Sequence, residues 1–251
     1  MKTVMKMSTT SPLLVLIPAY NEEDRIGGVI AGIKKFVPSA DIIVVDDGSN
    51  DRTAIVGRRA GAMVISHPFN LGVGSALQTG YKYAEQKGFQ TLVQLDGDGQ
   101  HDPAHIRFLL STLESTQADL VIGSRFLSDN FRNMSIPRRI GVWLFAWLLS
   151  VLIRERITDP TSGFRAMKQR VLKFCTQDVY GFDYPDADFL LTLHRSGFKL
   201  AEVPIEVKPR IGGTSQHRGL KPVYYFVKMF LSIFVILLRK KSIKENEIKN
   251  K

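Results

Sequence analysis

The sequence holds a single cysteine, Cys175, so no intrachain disulfide can form and a reducing compartment is its natural setting. With no base beside it in the sequence, that thiol reads as a small core residue and not as a nucleophile. No clearly apolar run reaches the ~20 residues of a full bilayer span. The first ten residues carry lysines but no signal-length apolar run, and the stretch Leu13–Ile17 stops at Pro18, so export is not expected. His67, His101, His105, His194 and His217 show no metal-ligand spacing. His101 alone adjoins an acidic loop, where it could touch a metal or a phosphate; the others read as packed or solvated. Internal repeats and low-complexity linkers are missing too. What the 251 residues do have is 44% hydrophobic content, enough for one large α/β core, and a net charge of +10. Charge of that sign favours polyanions: nucleotides, nucleic acid or an anionic membrane leaflet.

The N-terminal half alternates short β-rich runs with longer amphipathic ones: LLVLI from Leu13, DIIVVDD from Asp41, AMVIS from Ala62, TLVQLD from Thr91 and DLVIGS from Asp119. Such alternation predicts an α/β fold, a mostly parallel open sheet with helices on both faces. Unbroken apolar runs predict strands in the middle of that sheet. Ligands of such sheets lie beyond the strands' carboxyl ends, which selects Pro18–Glu22, Asp46–Asp51 and Asp96–His101.

The second half differs in texture. A polar loop, Phe126 to Pro137, leads to an apolar stretch from Gly141 to Ile153 bracketed by Arg138, Arg139, Arg154 and Arg156. It is too short to cross a bilayer; it is either a helix lying in the interface, with Trp143 and Trp147, or a core helix with solvated ends. Pro222 precedes a second apolar run, Val223 to Leu238, interrupted by Lys228, and the tail Arg239–Lys251 has six Lys/Arg against two Glu. This pairing predicts attachment to an anionic membrane surface. The division expected is a principal domain over 11–215 and a membrane-associating helix and tail over 222–251.

The sharpest local signal is QLDGDGQHDP, Gln94 to Pro103. Asp96 and Asp98 stand two apart among glycines, so a tight turn can present both carboxylates, with Gln100, to one point. Hard oxygen ligands of this kind suit Mg²⁺ or Mn²⁺, whose other positions go to phosphate and water. Alone, an Asp-Gly-Asp triplet is more simply a solvated turn. Two more acidic loops at strand ends change that, since clustered carboxylates are costly unless a cation or ligand compensates. In IPAYNEE, Tyr20 offers a ring for stacking on a base and Asn21 can cap a helix beginning near Glu22. In VVDDGSNDRT, Asp47 can accept from a base or ribose, Gly48 permits a sharp turn, and Asn50 or Asp51 can cap the next helix. In FNLGVGSALQTGY, Asn70, Gly72 and Gly74 read as a tight turn into a helix.

PAYNE, VVDDGS, DGDGQHDP, GSRF and SGFRAM occur in that order, and over Leu13 to Ser215 the chain resembles family 2 glycosyltransferases of the GT-A (Rossmann-like) fold, most of all the dolichol- or polyprenol-phosphate sugar transferase branch. The resemblance implies that Pro18, Ala19, Tyr20, Glu22 and Asp47 hold the nucleoside of a nucleoside-diphosphate sugar. Asp96, Gly97 and Asp98 would bind its diphosphate, with Asp98, Gln100 and Asp96 on the metal, and Arg210 and Ser215 would belong to a late loop closing over the donor. Arg125 and one of Arg138 and Arg139 would meet phosphate, a role suited to the planar guanidinium fork.

The acceptor decides the mechanism. A hydroxyl acceptor needs a general base, for which Asp186 and Asp188 in YPDADFLLTLHRSGF are the candidates; they read equally as carboxylates favoured by a helix N-terminus. A phosphate acceptor, with a second pKa of about 6, is already largely ionised and needs arginines instead. The expectation is an inverting transfer to polyprenyl (undecaprenyl or dolichyl) phosphate at the cytoplasmic face of a membrane, by a peripheral or monotopic enzyme. The alternative is a hydroxyl of a glycan or lipid-linked saccharide. So little membrane-spanning material leaves room for a small membrane-protein partner. A sugar nucleotidyltransferase lacks its glycine-rich triphosphate loop here. A basic nucleic-acid-binding module is disfavoured, because positive charge gathers in the tail and beside apolar helices instead of interleaving with aromatics on a sheet.

Overall fold

The computed structural model describes residues 13–128, 136–177, 187–208 and 221–238, and the side chains within them other than those of 136–138 and 221–228. Asp186, Arg210, Ser215, the side chain of Arg138, the tail 239–251 and most of the loop preceding residue 136 lie outside the described residues. Among the described residues seven strands stand in the order β3-β2-β1-β4-β6-β5-β7. The chain divides into two compact units, Met1–Gly99 with Ala166–Asp183, and Gln100–Arg165 with Tyr184–Lys251.

In the first unit β1 (Leu13–Ala19) is buried along its whole length, and Leu14, Val15, Leu16 and Ile17 are each at most 1% exposed. Burial of such side chains stabilises by roughly 1.5–3 kcal/mol apiece, which makes β1 the spine of the unit. It pairs in parallel with β2 (Asp41–Asp46) and with β4 (Thr91–Gln94), and β2 pairs in parallel with β3 (Met63–Ser66). Helix α1 (Ile26–Phe36) buries Ile26, Val29, Ile30 and Ile33, the i, i+3, i+4, i+7 stripe of an amphipathic helix, and packs with α2 (Thr53–Arg59). Helix α3 (Val73–Gln86) packs on β1 and on α6 (Gln169–Cys175), which follows β6 (Arg165–Lys168). Cys175 is buried, as expected of a core thiol.

In the second unit β5 (Leu120–Ser124) and β7 (Leu200–Pro204) pair in parallel. A 3-10 turn at Pro103–His105, capped by Asp102 through the Ala104 N–H, opens α4 (Ile106–Ser115). The helices α5 (Ile136–Ile153), α7 (Ala187–Arg195) and α8 (Lys221–Leu238) pack in sequence, α5 on α7 and α7 on α8. The α5 segment is a helix with one face in the core and one apolar face exposed. Val142, Phe145, Ala146, Leu149 and Ile153 are buried, while Ile140, Trp143, Trp147 and Val151 are each more than half exposed. On α8, Met229 and Ile233 are buried, and Phe230, Leu231, Phe234, Val235, Leu237 and Leu238 are exposed. Among the described residues no helix is long and apolar enough to cross a membrane.

The α/β class and its mostly parallel open sheet are as the alternation predicts, but two expectations need correction. The five apolar runs do not all lie mid-sheet: β3 is an edge strand with Met63 50% exposed, and β5 sits one strand from the other edge. β6 and β7 escape the apolar pattern, since Arg165, Lys168 and Glu202 break up strands of four and five residues. The helix after the first strand begins at Ile26, not near Glu22, and its first turn carries no side-chain cap.

Candidate active site

Three loops at the carboxyl ends of β1, β2 and β4 are tied together within the first unit. The Asp47 N–H donates to the Ala19 carbonyl (2.8 Å) and the Leu95 N–H to that of Leu16 (3.1 Å). Asn21 adopts a left-handed φ of 55°. Its N–H donates to Ser49 Oγ, and its side-chain oxygen accepts from the Asn50 N–H, both at 2.9 Å. That cross-link takes the place of the helix cap expected of Asn21. Thr53 Oγ1 accepts from the Glu22 N–H (2.7 Å), and Asp51 accepts from the N–H groups of Glu23 (3.1 Å) and Thr53 (2.9 Å). Asp51 is thus the structural carboxylate of its loop. Burial acts to raise its pKa, and the bonds from the Thr53 hydroxyl, the Thr53 N–H and the Glu23 N–H outweigh burial, holding it below the usual carboxylate range.

Gly48, at φ 71°, is where the second loop passes closest to its neighbour: a Cβ there would stand 2.4 Å from the Phe69 carbonyl carbon. Only glycine accommodates both the angle and the approach. Asp47 is 3% exposed, and its carboxylate is enclosed by His67 Nδ1 (2.7 Å) and the N–H groups of Leu71 (3.0 Å) and Gly72 (2.8 Å). His67 Nε2 in turn meets Thr79 Oγ1 at 2.8 Å, a packed histidine as expected. Asp47 therefore organises residues 67–72, and Gly72, at φ 92°, delivers the chain into α3 as the glycine-rich segment suggests. Glu22 is 8% exposed and ion-paired with Arg25, while Tyr20 is half-buried beside it in the chain.

Gly97 packs against the first loop; a Cβ there would lie 3.4 Å from Ala19 Cβ and from the Pro18 carbonyl. The Asp-Gly-Asp turn therefore stands against the Pro18–Tyr20 segment, with Asp96 and Asp98 half-buried. Gln100, two residues on, accepts at its carbonyl from the Lys208 N–H (2.9 Å) and donates from Nε2 to the Lys208 carbonyl (3.3 Å). Among the described residues no three His, Cys, Asp or Glu side chains gather as a self-sufficient metal cage. Two carboxylates and an amide oxygen in a glycine turn fit instead a Mg²⁺- or Mn²⁺-type site that a bound diphosphate completes. His101 is 6% exposed with its ring 5.1 Å from that of Phe164, so packing accounts for it.

The second unit holds a separate polar cluster. Arg125 grips Asp159 bidentately, Nε to Oδ2 at 2.6 Å and Nη2 to Oδ1 at 2.7 Å, and Nη2 also reaches Thr161 Oγ1 at 2.9 Å. Asp159 is fully buried. The Glu202 carboxylate accepts the N–H of Asp159 (2.9 Å) and both the N–H and hydroxyl of Thr158 (2.8 Å each). Burial pushes the Glu202 carboxyl up; its hydrogen bonds oppose the rise and the nearby Asp159 charge adds to it. Asp159 and Glu202 are missing from the sequence reading. The signals were an acidic residue just ahead of the SGFRAM motif and a lone glutamate in the run LAEVP. Arg139 lies half-buried on α5. At the start of α7, Asp188 Oδ1 accepts the Phe189 N–H (2.8 Å) and Oδ2 the Ser232 hydroxyl of α8 (2.6 Å).

This sheet, with acidic loops at its strand ends, is of the GT-A type. Glucosyl-3-phosphoglycerate synthase of Mycobacterium tuberculosis, solved with Mn²⁺, UDP-glucose and phosphoglyceric acid, shares the fold at a TM-score of 0.68 and 23% identity, over 89% of this chain and 78% of its own. The chain belongs to glycosyl transferase family 2, whose model matches residues 14–175, and it is a glycosyltransferase. It is 30% identical to an undecaprenyl-phosphate mannosyltransferase of Micrococcus luteus, over 82% of this chain and 88% of that one. It is equally 30% identical to a polyprenol monophosphomannose synthase of Mycolicibacterium smegmatis, over 84% and 82%. A UDP-N-acetylglucosamine–dolichyl-phosphate N-acetylglucosaminyltransferase of Methanococcus voltae is 29% identical over 77% and 84%. These relatives bear out the branch that the ordered motifs resemble.

Proposed function

We propose that the protein transfers a sugar, with inversion, from a nucleoside-diphosphate sugar to a polyprenyl phosphate at the cytoplasmic face of a membrane. The reading is carried by the three strand-end loops cross-linked around Asp47, Gly48 and the Asp96–Asp98 turn, in a chain whose relatives are named for transfer to undecaprenyl, polyprenol and dolichyl phosphates.

Pro18, Ala19, Tyr20 and Glu22 take the nucleoside side of the donor, and Asp47 holds residues 67–72 in place beside it. Asp96, Gly97 and Asp98 take the diphosphate side, with Asp98, Gln100 and Asp96 holding Mg²⁺ or Mn²⁺, and Arg210 and Ser215 are assigned to the donor as well. When bound, that cation stabilises the charge developing on the departing nucleoside diphosphate. Arg125, with Arg138 or Arg139, binds the acceptor phosphate. An ionised phosphate needs no base, and the engagement of Asp188 by Ser232 suits a supporting role for that carboxylate. The exposed stripe Ile140, Trp143, Trp147 and Val151, with the outer face of α8, lies against the lipid surface, which brings a membrane-bound acceptor to the second unit.

The test is transfer of label from a panel of nucleotide sugars, with Mg²⁺ or Mn²⁺, to undecaprenyl phosphate in detergent. A lipid-soluble, acid-labile product is expected, with turnover at least ~100-fold lower in Asp98→Ala, as loss of several kcal/mol of charge stabilisation implies. Metal-dependent donor binding without a lipid product would overturn the acceptor, move it to a glycan hydroxyl, and make Asp186 and Asp188 the residues to test as base.

A further inference from the structure

Arg125 is held by the Asp159 carboxylate, and Asp159 in turn by a second one. Asp159 fixes the plane of the guanidinium through Nε and Nη2, and its Oδ2 also accepts the Arg125 N–H at 3.1 Å. Behind Asp159 stands Glu202 of β7, which receives three donors from residues 158 and 159. Because the Thr158 hydroxyl proton goes to Glu202, the Ser124 hydroxyl donates to Thr158 Oγ1 (2.6 Å), and Ser124 Oγ accepts the Phe126 N–H (3.2 Å). Both chain neighbours of Arg125 are thereby tied to the same relay. Ser128 closes it, its single O–H shared between the Ile205 carbonyl just after β7 (2.7 Å) and the Arg125 carbonyl (3.2 Å).

A half-buried carboxylate that faces no cation among the described residues is a costly choice, since burial disfavours its charged form. The donors explain it. Three N–H or O–H groups converge on two oxygens, and an amide in that place would aim one of its own N–H groups at a backbone N–H. Glu202 is thus specified by what it must accept.

The geometry points to Glu202 as a positioning residue for the reaction, acting through residues 158–159 and Asp159 to set the orientation in which Arg125 meets the acceptor phosphate. The inference rests on the assignment of Arg125 to that phosphate. Glu202 is assigned to neither substrate; its effect belongs to the acceptor and not to Pro18–Glu22 or the Asp96–Asp98 turn, the donor loops that lie in the other unit. Asp159 partly neutralises Arg125, so the arrangement gives up attraction in exchange for a fixed direction, and misplacement by ~1 Å can cost ~100-fold in rate.

Glu202→Gln keeps the volume and removes one acceptor. Thr161→Val removes only the Thr161 hydroxyl from Arg125, at a half-buried position where loss of folding is not expected. Steady-state kinetics with a short polyprenyl phosphate in detergent should show the acceptor KM raised ~10-fold in Glu202→Gln and ~3-fold in Thr161→Val, with the donor KM within ~2-fold of wild type. In a double-mutant cycle, Arg125→Ala/Glu202→Gln should be no worse than Arg125→Ala alone, because a relay that ends on Arg125 has nothing left to position. Additive losses, or a donor KM that rises as much as the acceptor KM, would overturn the relay. An Arg125→Ala variant with an unchanged acceptor KM would instead overturn the phosphate assignment on which the relay rests.

Discussion

At the scale of the residue, the acidic loops divide their labour. Asp47 is a natural hydrogen-bond acceptor for a nucleoside in the sequence, yet its carboxylate is enclosed by His67, Leu71 and Gly72. Its own motif could not reveal this, because the donors come from residues 20 to 25 positions away. Gly48 was legible, since a glycine after two aspartates at a strand end announces a turn. What the sequence leaves out is the second constraint, the backbone of Phe69 and Asn70 lying where a Cβ would go. Gly48→Ala therefore meets strain twice: a left-handed φ costing ~1–2 kcal/mol, and a contact that separates the loops. The melting temperature should fall by at least ~2–4 °C, and the donor KM should rise while the acceptor KM holds, as thermal scans and steady-state kinetics would reveal. A variant with wild-type stability and donor KM would show that the two loops need not stand as close as they do.

At the scale of the element, β1, β2 and β4 were plain because parallel strands buried on both faces read as unbroken apolar runs. β6 and β7 were not, because Arg165, Lys168 and Glu202 sit within them and four or five residues give too short a pattern to distinguish from a loop. Helix α5 had two readings because its composition is apolar on both sides. Periodicity cannot separate a face that meets the core from an apolar face left exposed. The structure separates them: Val142, Phe145, Leu149 and Ile153 face inward, and Trp143 is 65% and Trp147 55% exposed. Under the proposed function, exposed tryptophans flanked by arginines suit a headgroup boundary, where an amphipathic ring is solvated at one end only. Replacing both, as Trp143→Ser/Trp147→Ser, should weaken binding to vesicles containing anionic lipid by at least ~10-fold in a co-sedimentation assay, on the scale of burying two large apolar side chains. Turnover with a short-chain acceptor in detergent should stay within ~2-fold, since neither ring is assigned to substrate. Unchanged vesicle binding would assign that face to something other than lipid.

At the scale of the whole molecule, a chain with net charge +10 gains further positive charge on acidification, so its carboxylates bear on how well it resists acid. Asp51 in one unit and Asp102 in the other are both held low. For Asp102 the Ala104 N–H does most, against partial burial and with help from Lys208, whose Nζ stands 2.9 Å away. A carboxyl whose folded pKa is depressed contributes stability that is present above its unfolded pKa, about 3.9 for aspartate, and is lost as pH falls through the folded value. Glu202 runs the other way: its folded pKa is raised, so its contribution is present at low pH and lost as pH rises through that folded value. Asp51→Ala removes acceptors from the N–H groups of Glu23 and Thr53, a change comparable to losing a helix cap at ~1 kcal/mol. At pH 7 the variant should melt ~2–4 °C below wild type. The gap should narrow as pH falls below the unfolded pKa of about 3.9 toward the depressed folded value, through which wild-type Asp51 takes up a proton and its charge no longer strengthens those bonds. Thermal scans at half-unit steps from pH 7 to pH 3 would measure it. A gap that stays constant across the range would mean that Asp51 stabilises by shape and not by charge, and would assign the acid sensitivity of the first unit to other carboxylates.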